Sequence, residues 1–281
     1  MSKLDDLVSE VSVTKRLVSV ATSRAGRTAL VGGPGPDGQP AAGSYSYANF
    51  ATTVQAAAAG LTWRGLRPGD VVGVLAPDAV GFALAMHAIR TAGGVPSPLA
   101  VDLRVVEAAG QLAESGARMV ITAPPLADTA LAAAERSWVR QVFSFVYAPG
   151  ATRFSDLLGL DMIRPPRGRP DDVALLPFSR GNDGRLRPAP VSHRELVELV
   201  DQADRGARIT GGDVVLAMPP VGDALDYAAV IDGALLRGAT VVAVGGRHEL
   251  TMAVAAHHGT VLVAPRDGRI EVPASVRAVP I

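Results

Sequence analysis

The feature that most constrains this fold is the alternation of short apolar, β-branched runs with segments of helical length. Helical spacing of alanine, leucine and charged residues is seen in DAVGFALAMHAIRTAG (78–93) and HRELVELVDQADRG (193–206). Near-continuous apolar strands that alternate with helices are typical of parallel sheets covered on both faces. The sequence therefore predicts an α/β fold with largely parallel sheets, whose strands include VVGVLA (71–76), MVITA (119–123), QVFSFV (141–146), VALLPF (173–178), VVLAM (214–218), TVVAV (240–244) and TVLVA (260–264).

Helix ends and loops can be predicted from local signals. RTAGG and LLRGA place a glycine just past a helix end, where the left-handed conformation costs least without a Cβ. Asp78 and Ser192 are predicted N-caps. The stretch GGPGPDGQPAAG (32–43) is predicted to be an exposed loop, and DMIRPPRGRPDD (161–172) a linker.

Composition excludes several classes of function. Acidic and basic residues balance at 27 each, so the electrostatic signature of a nucleic-acid or anionic-membrane binder is lacking. There is no cysteine, which excludes disulfides and thiolate chemistry. The N-terminus lacks the apolar core of a signal peptide, and no apolar stretch approaches the roughly 18 residues that span a bilayer. We therefore expect a cytoplasmic protein with neither nucleic-acid nor membrane partners.

A family resemblance rests on several motifs that occur in order within residues 45–122. These are YSYANF, GLRPGDVVGVLA, AMHAIRTAGGVPSPL and SGARMVIT. The segment resembles the opening of the acyl/aryl adenylate-forming superfamily, which includes acyl-CoA synthetases, nonribosomal peptide adenylation domains and luciferases. The resemblance implies an incomplete adenylation large domain over residues 1–281, built from two stacked three-layer α/β subdomains. One subdomain would comprise about 66–175, and the other about 1–65 plus 176–281.

The family's phosphate loop is similar to SRGNDGRLRPAPVSHREL (179–196). By that resemblance Ser179, Gly181 and Gly184 keep the family residue type, and Arg187 stands where the family has lysine. Arg180, Asn182 and Asp183 replace hydroxyl-bearing residues, Leu186 replaces proline, and Pro188 replaces glycine. The implied ATP-binding positions are Ser179, Gly181, Asn182, Asp183, Gly184 and Arg187.

These replacements oppose phosphate binding. A phosphate cradle needs small or hydroxyl-bearing residues that let backbone N–H groups approach the anion, and Pro188 removes one such donor. A carboxylate about 4 Å from a phosphate costs roughly 4 kcal/mol at an effective dielectric constant near 20. Arg180, Arg185 and Arg187 either offset this repulsion at the phosphates or pair with Asp183 in a solvated turn. We expect a non-functional loop, without ATP or Mg²⁺ as cofactor.

Two further departures concern the family's later motifs. Val221 and Gly222 stand where the resemblance implies an aromatic residue and a histidine near the acyl pocket. The adenine-binding YGxTE segment, the ribose-binding aspartate, the hinge and the C-terminal lid domain with its lysine are expected to be absent, and the large domain truncated. Lys3 and Lys15 are the only lysines, at the opposite end of the chain.

Three other groups of residues are candidate sites. His257 and His258 are adjacent, so a helix would point them about 100° apart, and we favour a helix C-terminus over a metal site. Ser192, His193 and Asp183 suggest a catalytic triad, but no G-x-S-x-G elbow is present. Asp223 and Asp226 are better explained as cap and first-turn acids than as paired catalytic carboxylates. We therefore predict no catalytic residue and no metal ligand.

The leading expectation is an adenylate-forming pseudoenzyme that acts as a binding, scaffold or partner protein. Each sheet would normally gain strands from the missing part, so an open edge would favour self-association or covering by a partner protein. One alternative is half of a split acid-activating ligase whose partner chain supplies the lid. Another is a repurposed pocket that binds an acyl, aryl or CoA-like small molecule.

Overall fold

The computed structural model describes residues 12–32, 43–124, 126–159, 168–181, 185–219, 224–265, 270 and 272–281. Its helices are α1 (Val13–Ser23), α2 (Tyr47–Trp63), α3 (Ala79–Thr91), α4 (Val105–Glu114), α5 (Ala127–Ala134), α6 (His193–Ala207), α7 (Ala224–Arg237) and α8 (Arg247–His257), with a 3₁₀ turn at Phe154–Leu157. Its strands are β1 (Thr28–Val31), β2 (Ser44–Ser46), β3 (Val71–Leu75), β4 (Val95–Pro98), β5 (Met119–Thr122), β6 (Gln141–Ser144), β7 (Thr152–Arg153), β8 (Val173–Leu175), β9 (Phe178–Arg180), β10 (Leu186–Pro188), β11 (Val191–Ser192), β12 (Val214–Ala217), β13 (Thr240–Ala243), β14 (Val261–Ala264) and β15 (Arg277–Pro280).

One sheet has five strands, all parallel, in the order β4-β3-β5-β6-β7. Its central strands are almost wholly apolar and buried, as expected when helices cover both faces. Helices connect successive strands, since α3 joins β3 to β4 and α4 joins β4 to β5.

The second sheet has six strands in the order β15-β14-β12-β13-β1-β2. Its pairs are parallel except β1 with β2, so strands from the start of the chain lie beside strands that follow residue 213. β15 forms an edge of this sheet. The two sheets confirm the predicted α/β class with largely parallel strands, while the exact subdomain boundaries stay a prediction.

Helix α3 lies between the sheets. All thirteen of its residues are buried, and it packs against β3 and β4 of one sheet and β1 and β13 of the other. Asp78 caps it, because the side-chain Oδ1 accepts a hydrogen bond from Gly81 N at 2.8 Å. Gly93, just beyond its end, has φ +82° and confirms the predicted left-handed turn.

Helix α2 packs closely against α3 and the 3₁₀ turn. Gly60 allows this approach, since a Cβ there would lie 2.3 Å from Leu157 O. The predicted strands are present but mostly one or two residues shorter, and 173–178 divides into β8 and the start of β9. Most of the predicted loop 32–43 and of the predicted linker 161–172 falls outside the described residues. No helix among the described residues is both long and apolar enough to cross a membrane.

Candidate functional site

The predicted phosphate loop coincides with a β-hairpin formed by β9 and β10. The strands are antiparallel, with Arg187 opposite Ser179 and Leu186 opposite Arg180. Gly181 N donates to Arg185 O at 2.8 Å, which closes the described part of the hairpin. The hairpin follows β8, which places it beyond the carboxyl end of that strand.

Three of the six predicted phosphate-loop residues can be located. Ser179 and Arg187 are exposed on neighbouring strands, and Gly181 is half-buried at the end of β9. Asn182, Asp183 and Gly184 lie outside the described residues. The described strands of the hairpin therefore present exposed arginines, while the Gly181 N–H already has a backbone acceptor. They do not reproduce the small, hydroxyl-rich cradle on which phosphate binding relies.

Ser192 and His193 lie at the start of α6, whereas Asp183, the third residue of the possible triad, lies outside the described residues. Ser192 Oγ accepts from Glu195 N at 3.2 Å and donates to Glu195 Oε2 at 2.8 Å, while Ser192 N also donates to Glu195 Oε2. This capping box confirms the predicted N-cap and uses the serine hydroxyl structurally. Burial lowers the pKa of His193, and the charge of Arg90 lowers it further, although Asp172 opposes this shift.

A buried charged cluster joins α3 to α7. Asp232 Oδ2 lies 2.7 Å from Arg90 Nη1, and Asp232 Oδ1 lies 3.0 Å from His87 Nε2. Arg90 Nε also donates to Ala174 O at 3.3 Å, which ties the cluster to β8. Burial alone would raise the pKa of Asp232, but Arg90 and His87 outweigh it and hold that pKa below its ordinary value.

This cluster was not predicted from the sequence. The available signal was a histidine and an arginine three residues apart within the apolar segment AMHAIRT, together with an aspartate inside AAVIDGALL. Charged residues are almost never fully buried unless they are paired. Charged residues within apolar helical segments therefore indicate buried ion pairs. The sequence does not specify which of these residues contact each other.

A cavity of about 850 Å³ lies near the other end of β8. Residues of α1, α2, the end of α3, the start of β4 and the segment before β8 line it, and His193 contributes from α6. Such a volume falls in the range of small-molecule sites. Because the lining comes from several elements far apart in the chain, sequence patterns alone did not locate it.

Some of the remaining candidate residues can be located in the structure. α8 ends at His257, and His258 adopts the left-handed conformation at its C-cap, as predicted for a helix terminus. Asp226 lies in the first turn of α7, whereas Asp223, Val221 and Gly222 lie outside the described residues. Within the described ranges, no group of three or more potential metal ligands comes together.

Comparison with known proteins identifies the family. Residues 18–265 match the family described as AMP-binding enzyme. A feruloyl-CoA synthase from Amycolatopsis is 30% identical over 203 residues, covering 71% of this chain and 38% of that protein. 4-Coumarate–CoA ligase 4 from Arabidopsis thaliana is 28% identical over 222 residues, covering 74% of this chain and 39% of that protein.

Solved structures agree at the level of the fold. A long-chain-fatty-acid-CoA ligase from Archaeoglobus fulgidus has a TM-score of 0.79 at 19% identity, covering 91% of this chain and 52% of that one. A benzoate CoA ligase from Burkholderia xenovorans has a TM-score of 0.78 at 19% identity, and the match covers 95% of this chain and 54% of that one.

The largely parallel α/β core has the fold of the N-terminal domain of adenylate-forming ligases. The chain belongs to the AMP-binding enzyme family, as a member similar to acyl-CoA and 4-coumarate–CoA ligases. It spans less than two-fifths of the length of these two curated relatives.

Proposed function

We propose that this chain does not adenylate acids on its own and acts as a binding, scaffold or partner protein built on the AMP-binding fold. The observation that carries the proposal is the chemistry of the β9–β10 hairpin. A conserved fold with an altered phosphate loop is expected when the layered core is retained for binding and not for catalysis.

Four features of the hairpin support the loss of phosphate binding. Gly181 N is already bonded to Arg185 O, so it is not available to an anion without rearrangement. Pro188 has no N–H, and Arg180 has no hydroxyl where the family pattern has a small hydroxyl residue. Asp183 adds a negative charge to a loop that would have to hold several negative charges.

The partner role is supported by the edge of the six-stranded sheet. β15 pairs with β14 on one side, and its residues are largely exposed. An edge strand presents backbone donors and acceptors to another chain. We propose that self-association or a protein partner covers this edge, which light scattering coupled to size exclusion would test; a monomer that captures no copy or partner would contradict it.

A split acid-activating ligase is the second candidate. It is favoured by the fact that the hairpin is still formed and carries Arg180, Arg185 and Arg187, since guanidinium groups bind phosphate oxygens well. In that case a partner chain would complete the site, and mixing the two chains would restore activity.

Calorimetric titration with ATP and Mg²⁺ separates these candidates. The leading proposal predicts no binding to the chain alone. Asp183→Asn removes the carboxylate charge at nearly constant size, and we expect it to increase ATP affinity by at least about tenfold if repulsion is responsible. Asp128→Asn is the matched control, because it removes the same charge from an exposed position on α5. Micromolar ATP binding by the unmodified chain would overturn the proposal.

A further inference from the structure

Two arginines lie side by side at the amino edge of the five-stranded sheet. Arg118 and Arg140 directly precede β5 and β6, and Arg140 N donates to Arg118 O at 2.8 Å. The strand register pairs Met119 with Gln141, so it also brings Arg118 opposite Arg140. Neighbouring strands are about 4.8 Å apart. The two side chains therefore start from adjacent positions on adjacent strands.

Both arginines lie on the face of the sheet that α4 and α5 cover. Val120 and Val142, two residues further along each strand, belong to a buried cluster with residues of those helices such as Leu112. Because side chains two residues apart on a strand share a face, Arg118 and Arg140 are on the same side as these valines. Both arginines are exposed. The edge thus presents two neighbouring guanidinium groups to solvent.

No carboxylate among the described residues neutralises this pair. Within the described ranges, neither Arg118 nor Arg140 forms an ion pair or a side-chain hydrogen bond. Glu114 and Glu135 are the carboxylates closest to them in the segments that lead into β5 and β6, and both are exposed without an ion pair in the described part of the chain. Arg136 adds a third exposed guanidinium beside the second of these carboxylates.

Local structure does not explain why two arginines stand together here. A helix C-terminus favours a cation only within its last turn, and both arginines lie beyond the ends of α4 and α5 at Glu114 and Ala134. Like charges directly opposite each other on neighbouring strands destabilise a sheet. An acidic partner that neutralises both charges would account for the pair.

Both tryptophans of the chain lie near this edge. Trp138, two residues before Arg140, is 72% exposed, and Trp63 at the end of α2 is 70% exposed. Gln141 Nε2 donates to Arg64 O at 3.0 Å, so the end of α2 lies beside the start of β6. Tryptophan is highly buried on average, and tryptophan and arginine are enriched among the residues that dominate binding energy in protein interfaces.

The basic character extends to the segment that leads into β3. Its one carboxylate, Asp70, accepts a hydrogen bond from Arg67 N at 2.9 Å. The Arg64 guanidinium carbon lies 5.3 Å from the centre of the Trp63 ring. Together, residues 64–70, 114–118 and 135–140 hold five arginines and three carboxylates, in a chain that is neutral overall. The excess of positive charge is therefore local to this edge.

We propose that this basic edge, formed by Arg118, Arg136, Trp138 and Arg140, binds an acidic peptide segment of a partner protein. The carboxylates of the segment would pair with the two adjacent arginines, because guanidinium groups bind carboxylates through two parallel hydrogen bonds. An apolar side chain of the segment would pack against Trp138. This inference rests on the partner role proposed above and names the chemistry of the partner.

The test uses Trp63→Phe, which keeps an aromatic ring on α2 and leaves Trp138 as the single tryptophan. The whole 281-residue chain is titrated with a capped pentapeptide of four glutamates around a central phenylalanine, and separately with its glutamine counterpart. We expect a saturable change in Trp138 emission with the glutamate peptide, weakened by added salt. The glutamine peptide should bind at least about tenfold more weakly, because the charged hydrogen bonds are lost.

Arg118→Gln combined with Arg140→Gln should weaken the glutamate peptide at least about tenfold. Arg247→Gln is the matched control, since it removes an exposed charge at the start of α8, beside the other sheet, and should leave binding unchanged. Arg118→Gln alone should not lower the midpoint of urea unfolding, because it removes a repulsion between like charges. A purely structural role for Arg118 would lower that midpoint.

Several results would overturn the proposal. These are no saturable change in emission, equal binding of the glutamine peptide, or an effect of the double variant no larger than that of Arg247→Gln. Tighter binding of inorganic phosphate or of a short oligothymidylate than of the glutamate peptide would also overturn it, because the edge would then select phosphates. Since these titrations contain no ATP, such a failure removes only the acidic partner and leaves the proposed lack of adenylation untouched.

Discussion

Arginines occupy opposite environments at the two ends of β8. Near its amino end, Arg90 has a side chain only 1% exposed, and it is held by Asp232 and by the carbonyl of Ala174. Beyond its carboxyl end, Arg180, Arg185 and Arg187 are exposed on the β9–β10 hairpin. Substituting one member of a buried ion pair is costly, because the other charge is then left buried without a partner. Exposed hairpin charges can change with little effect on the fold.

This difference explains how the chain keeps the family's core while its predicted phosphate loop departs from the pattern that the resemblance implies. The cluster of His87, Arg90 and Asp232 lies between the two sheets, where each substitution affects stability. The hairpin lies at the surface, where substitutions affect ligand binding first. The following predictions test that comparison, beginning with the largest expected effect.

Asp232→Ala should be the most destabilising of these changes. It leaves Arg90 and His87 buried without their carboxylate, and breaking a buried pair costs about 3–5 kcal/mol. Guanidinium unfolding measures the loss in free energy of unfolding. Asp128→Asn is the control, because its carboxylate is exposed. A loss below about 1 kcal/mol would show that the cluster does not hold the two sheets together.

Gly60→Ala tests the buried region by steric means. Its Cβ would lie 2.3 Å from the backbone oxygen of Leu157, so α2 must shift, at a cost of about 1–3 kcal/mol. Gly110→Ala is the matched control on α4, where a Cβ would meet nothing within 4 Å. We expect that control to stabilise the chain by about 0.5–1 kcal/mol, because alanine favours helix. Equal effects of the two variants in urea unfolding would contradict the packing described for α2.

His193 should make stability depend on pH. Its pKa in the folded chain is lowered by burial and by Arg90, with Lys15 acting in the same direction and Asp172 opposing. The unfolded chain therefore binds this proton more readily, and stability is lost as pH falls through the ordinary histidine value of about 6.5. His193→Gln should flatten the dependence of unfolding free energy on pH between about 7.5 and 5.5. An unchanged slope in His193→Gln would refute this.

Arg187→Gln should have the smallest effect on stability. The side chain is exposed on β10, and exposed charged interactions contribute about 0.2–1 kcal/mol. Thermal unfolding of Arg187→Gln and Asp232→Ala under the same conditions compares the stability that each variant loses. A loss as large as that of Asp232→Ala would remove the contrast between the two ends of β8.

Much of the fold could be predicted because its signals are local. Apolar runs such as 71–76 and 240–244 correspond to β3 and β13, and the side chains of Asp78 and Ser192 cap helices as expected. Capping and glycine signals act within a few residues, so they can be read directly from the sequence. β15 was not predicted, because Pro280 and Arg277 make a poor strand pattern and an edge position tolerates them.

The candidate sites could be predicted only in part. The hairpin carries a contiguous motif, so Ser179, Gly181 and Arg187 could be assigned from resemblance, although what those positions bind stays a prediction. The cavity and the cluster depend on contacts such as that between Arg90 and Asp232, which are 142 positions apart. No pattern in one sequence specifies such a pairing, since it depends on how α3 and α7 pack against each other.

The most direct test of the central claim is pyrophosphate release by the purified chain, supplied with ATP, Mg²⁺ and a panel of aryl and acyl carboxylic acids. The altered hairpin predicts no release above the rate without enzyme for any acid in the panel. Acid-dependent release by this chain alone, abolished when Arg187 is replaced by Gln, would contradict the account, because it would show that the hairpin still holds the phosphates.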